Sequence, residues 1–134
     1  MLFGKKKENL SDQQAVYQKR KDPRYVSNAR ISIEGFEGEG TLGNISTSGC
    51  HMESSTYVSI TPDEIYLVNI IPHKDENIKP FTQKLKATWT KSSEKLFQAG
   101  FSLYEGQSST QMEQYTKLLN SRGVQPDFGN MNDN

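Results

Sequence analysis

Two stretches with a period of two constrain the fold more than any other feature of the chain. Phe81, Leu85, Ala87 and Trp89 share one parity, and Phe97, Ala99, Phe101 and Leu103 share another, with "TKSSEK" turning between them. Successive side chains of a strand point to opposite faces, so each set reads as the inward face of a half-buried strand. The same period recurs upstream, where Ala29, Ile31 and Ile33 alternate with Arg30, Ser32 and Glu34. "EGFEGEG" is turn chemistry, Leu42 and Ile45 mark a second strand, and Cys50 and Met52 open a third. "EIYLVNII" is nearly continuous in apolar residues and reads as a central strand, followed by a solvated loop, "PHKDENIKP", between two prolines. Six strands, short turns and no interleaved helix predict an all-β fold: a six-stranded antiparallel barrel or split barrel.

A helical period begins only after the last strand. Ser108 and Gln111 have the spacing of a capping box, and Met112, Tyr115, Leu118 and Leu119 form a stripe that Gly123 ends. This predicts one helix over about 109–121, packed on an end of the barrel. With 134 residues the chain reads as one domain. Residues 1–18 are expected to be a flexible basic segment, with a short helix starting at Ser11. Residues 19–122 form the barrel domain, and 123–134 a disordered tail.

Formal net charge is zero, yet residues 1–30 hold eight Lys and Arg against three Asp and Glu, which leaves +5 there and −5 over the rest. A positive arm on an acidic body suits a small anionic partner better than a nucleic-acid groove. Cys50 is the one cysteine, so no intrachain disulfide can form and a reducing, cytoplasmic setting is expected. "MLFG" is too short for a signal peptide, and no apolar run approaches the roughly 18–20 residues of a spanning helix. Neighbours on a strand face opposite ways, so Cys50 and His51 cannot form a dyad. Ser46 lacks the nucleophile-elbow pattern, and no Cys, His or carboxylate cluster has metal spacing. An enzyme, a metal and a cofactor are therefore not expected. Trp89 reads as core because it shares the parity of Leu85 and Ala87.

Two polar features remain. "RKDPR" places Arg20 and Arg24 four apart on an arm before the first strand. "NISTSG" places Asn44, Ser46 and Gly49 at the end of the second. In a meander these two points share an edge. If residues 20–24 are extended, the guanidinium forks are spaced by roughly 13–14 Å of chain, against about 6 Å in a helix.

The pair resembles the two-part signature of PilZ domains, bacterial receptors for cyclic di-GMP: R-x-x-x-R, then D/N-x-S-x-x-G after one hairpin. "LKATWT…FQAGFSLYE" is similar to the family's later hairpin, and the resemblance runs from about Lys19 to Glu105. It implies a stand-alone receptor whose ligand contacts are Arg20, Arg24, Asn44, Ser46 and Gly49, with Lys19, Lys21 and Trp89 as secondary candidates. Guanidinium forks suit both phosphate and the guanine edge. It further implies that the arm orders on binding and signals to an unidentified protein in control of motility, attachment or exopolysaccharide. The sequence departs from the family pattern in three places. Lys19 stands where a further arginine is common, Asn44 replaces the commoner aspartate, and Cys50 replaces a frequent second glycine. One alternative is a PilZ-like adaptor that acts by protein contact alone. Such relatives lose the arginines or the Asn/Asp-x-Ser motif, which this chain keeps. A single-stranded nucleic-acid barrel would need exposed aromatics with basic flanks.

Overall fold

Alternating side chains become seven antiparallel strands. They are β1 (Tyr25–Val26), β2 (Arg30–Ile33), β3 (Gly40–Ile45), β4 (Gly49–Ser54), β5 (Ile65–Ile71), β6 (Phe81–Ser92) and β7 (Phe97–Ser102). The structure is a computed structural model that describes residues 22–128, and the unit that carries these strands is Arg24–Pro126. Lys19, Arg20 and Lys21, the expected helix after Ser11, and residues 129–134 lie outside the described residues.

Six strands close into a barrel in the order β3–β2–β5–β6–β7–β4, with β4 pairing back onto β3. The seventh, β1, adds to the edge of β3 that β2 also uses: Val26 lies opposite Asn44, and Arg30 opposite Thr41. Closure leaves no long unpaired edge among the described strands, which blunts the usual route to aggregation in a small sheet protein. The interior is filled by the inward parity of every strand. Ile31, Leu42, Ile45, Val68, Ile70, Leu85, Ala87 and Ala99 have no exposed surface.

Two bulges break the period of two. On β3 the register with β4 shifts between Leu42 and Asn44, so Gly43 is the extra residue. This is why Leu42 and Ile45, three apart, both face inward. On β6 the register with β7 shifts between Ala87 and Trp89, and Thr88 is the extra residue. That bulge overturns the sequence reading of Trp89. It points outward and is 37 % exposed, although Leu85 and Ala87 on the same nominal parity are fully buried. The apolar run of β5 is also only half internal. Val68 and Ile70 are buried, whereas Ile65 and Leu67 lie on the outer face at 47 % and 43 % exposure.

The helix, α1 (Thr110–Ser121), is capped by Ser109, whose Oγ accepts from the Met112 N–H at 3.2 Å. Ser108 is therefore not the cap. Three residues past Ser109 lies Met112, which cannot return the reciprocal bond a glutamine would make. The buried stripe is Met112, Tyr115, Thr116 and Leu119, and Leu118 is only partly covered. Gly123 adopts φ +85°, and Val124 N–H donates back to the Leu119 carbonyl at 3.1 Å. This left-handed exit is cheap for glycine alone.

Candidate functional site

Two neighbouring cross-strand rows define the site. The inner row runs Tyr25, Ile45, Cys50, Phe101, Ala87, each opposite the next, and all five are buried. The outer row, one residue along, runs Val26, Asn44, His51, Gly100, Trp89. Alternation turns this second row outward, so five strands contribute one residue each to a single strip of surface, with side chains from all but Gly100. Without the two bulges, Asn44 and Trp89 would not share it.

Arg24 comes to this strip by way of β1. Its Nη1 lies 3.5 Å from Asn44 Oδ1, so one arm arginine and the first residue of the polar motif meet directly. Short β1 is held to the end of β3 by the pairs Tyr25–Ile45 and Val26–Asn44, with Tyr25 buried as its anchor.

The rest of the polar motif builds the turn between β3 and β4. Ser46 is 3 % exposed, and its Oγ accepts from the N–H groups of Ser48 (3.2 Å) and Gly49 (3.1 Å). Ser46 N–H donates to the Gly49 carbonyl at 2.8 Å, closing the turn from the other side. A serine hydroxyl that mimics a backbone turn partner in this way is a local device. Gly49 is required by its neighbour strand: a Cβ there would lie 2.5 Å from the Phe101 carbonyl oxygen. In this structure its lack of a side chain allows β4 and β7 to pair closely.

At the other end of the strip, Trp89 lies flat over Gly100, where an added Cβ would strike indole Nε1. His51 flanks it, ring centroids 5.3 Å apart and tilted by 51°, and is itself tied to the Gln98 amide by Nε2 at 3.0 Å. Gly100 and His51 thus border the indole, and Trp89 keeps 37 % of its surface exposed. Neither His51 nor Gly100 is among the ligand contacts expected from the sequence. Their signal was the parity opposite to Cys50 and Phe101, hidden by the bulge that moved Trp89 onto the same side.

Inside the barrel, burial pushes the Cys50 thiol up to about 12, a rise that the charge of Arg24 only partly offsets. It stays a neutral, unreactive thiol. Among the described residues no group of His, Cys, Asp and Glu could hold a metal ion. None of the described helices is long and apolar enough to cross a membrane.

No protein-family model matches the sequence, and no curated protein does. Among solved structures, the Bacillus subtilis inhibitor of motility MotI/DgrA is similar in fold, with a TM-score of 0.65 at 14 % identity. The match covers 78 % of this chain and 51 % of that one, so the chain spans about half the length of the structure it resembles.

Proposed function

We propose that the chain is a cyclic di-GMP receptor of the PilZ type that regulates a partner protein, with motility the process the fold neighbour suggests. The observation that carries this reading is the meeting of Arg24 with Asn44 on the outer strip, at 3.5 Å, in a chain whose two motifs occur in the family's order. Arg24 donates its fork to a phosphate or to guanine O6 and N7, and Arg20 closes from the arm as the second clamp. Asn44 offers its amide to a guanine edge. Trp89 supplies the platform, since a purine stacked on its exposed surface gains about 1–3 kcal/mol. Ser46 and Gly49 serve by shaping the turn that fixes Asn44, in addition to any contact of their own. No step of this reading calls for bond-making chemistry.

Trp89 is the single tryptophan of the chain, which makes the platform directly observable. Cyclic di-GMP is expected to quench and shift its emission in a saturable manner. Gly100→Ala inserts a methyl group under the indole, a side chain that can swing away, so the barrel should persist while the platform tilts. We expect this variant to keep its circular dichroism spectrum and to bind at least tenfold more weakly. Unchanged emission on saturation, or unchanged affinity in Gly100→Ala, would remove Trp89 from the site.

A further inference from the structure

The loop from β5 to β6 carries a second surface with its own chemistry. A cavity of about 750 Å³ lies between this loop and the start of β2. A smaller hollow of about 340 Å³ shares residues 77–80 with it and is bordered by Gln111 and Gln114 of α1. Ile71, Pro72 and Ile78 give the larger cavity apolar walls, and Arg30, Lys74 and Lys79 make its lining cationic, with no carboxylate among the lining residues. Glu39 engages Arg30 at 2.7 Å, but Lys74 and Lys79 have no ion pair among the described residues.

The loop is latched to the rest of the barrel by few, specific bonds. Glu76 Oε1 accepts from the Tyr115 hydroxyl at 2.7 Å and from the His73 N–H at 3.1 Å. Arg122 Nη2 donates to the Asp75 carbonyl at 3.2 Å. Tyr115 is fully buried, and its hydroxyl also pairs with Ser27 Oγ at 2.9 Å. Ser27 follows β1 directly, three residues after Arg24. One phenol therefore joins the strand of the ligand clamp to the loop that walls the cavity.

We propose that this groove docks an acidic, amphipathic segment of a partner protein. Apolar walls take the buried side chains of such a segment, and Lys74 and Lys79 take its carboxylates. A long polyanion fits less well, because residues 31–134 sum to −5 and repel it beyond the rim. The chain Ser27–Tyr115–Glu76 couples the groove to the nucleotide face; that coupling, unlike the docking itself, rests on the receptor reading above.

The test uses the full chain and a fluorescein-labelled amphipathic helix of Glu and Leu, with a Lys/Leu peptide of the same pattern as control. We expect saturable anisotropy with the acidic peptide and none with the basic one. Lys74→Glu combined with Lys79→Glu, and separately Ile78→Asp, should weaken binding at least tenfold with circular dichroism unchanged. Cyclic di-GMP should shift the peptide Kd at least threefold, and Tyr115→Phe should abolish that shift. No saturable binding, or full binding by the charge-reversed variant, overturns the groove. So does a dimer of the chain that the same variants dissociate, because the occupant is then a second copy. A nucleotide-induced shift that survives in Tyr115→Phe overturns the coupling. If the peptide binds and cyclic di-GMP does not, the groove stands and the receptor reading fails.

Discussion

Arg24→Ala is expected to weaken cyclic di-GMP binding by about 10- to 150-fold in calorimetry, since a hydrogen bond to a charged group contributes roughly 1.5–3 kcal/mol. The reason is local. Arg24 is the described arm arginine that reaches Asn44, and no other described cation is bonded to that side chain. Its own side chain is only partly buried, whereas the neighbouring Tyr25 is the anchor that holds β1 in place. The variant should therefore retain its circular dichroism spectrum. Arg24→Lys should recover only part of the loss, because an ammonium keeps the charge without the planar two-pronged fork. Wild-type affinity in Arg24→Ala would remove the clamp from the account.

Gly49→Val is expected to destabilise the fold by about 3 kcal/mol or more, at or above the usual range for forcing a side chain into filled space. A Cβ at this position meets the Phe101 carbonyl oxygen at 2.5 Å and the Ser102 Cα at 3.5 Å. Both are backbone atoms of β7, paired with β4 along its whole length, so neither can move without breaking the ladder. A lower urea midpoint in the variant, measured without nucleotide, tests this directly. An unchanged midpoint would mean that β4 and β7 have room to separate. In Gly100→Ala the obstacle is instead a side chain that can rotate, and the cost is expected in binding. Similar glycines on adjacent strands thus report on different properties.

Most of the barrel was legible because burial of one face imposes alternation on the sequence. Ile31 and Ile33, Leu85 and Ala87, and Ala99 and Phe101 each announced their strand in this way, and all are buried. The helix was legible for the same reason with a different period. What alternation cannot reveal is where a strand inserts an extra residue. Thr88 carries no marker of its bulge, so parity alone reads Trp89 as core although the register has already switched. Gly43 is the more readable of the two, since a glycine between two inward residues three apart permits a bulge. The cap moved from Ser108 to Ser109 because adjacent serines offer the same chemistry, and only the bond to Met112 distinguishes them.

At the candidate site, the meeting of Arg24 and Asn44 followed from topology. A chain entering the barrel and one leaving its second strand share an edge. The residues that complete the strip were less visible. His51 and Gly100 gain their place only when four strands are laid in register, which no local window of sequence contains. The link from the end of β1 to the loop between β5 and β6 was hidden for a related reason. Tyr115 reads as one more apolar position of the helix until its hydroxyl is found between Ser27 and Glu76.

We propose that the outer strip and the arginine arm together hold a guanine dinucleotide. Isothermal calorimetry of the full chain with cyclic di-GMP, beside GTP and cyclic GMP, tests it most directly. Saturable heat is expected with cyclic di-GMP and none with the two mononucleotides. Absence of saturable heat from a chain whose circular dichroism shows the barrel intact would contradict it.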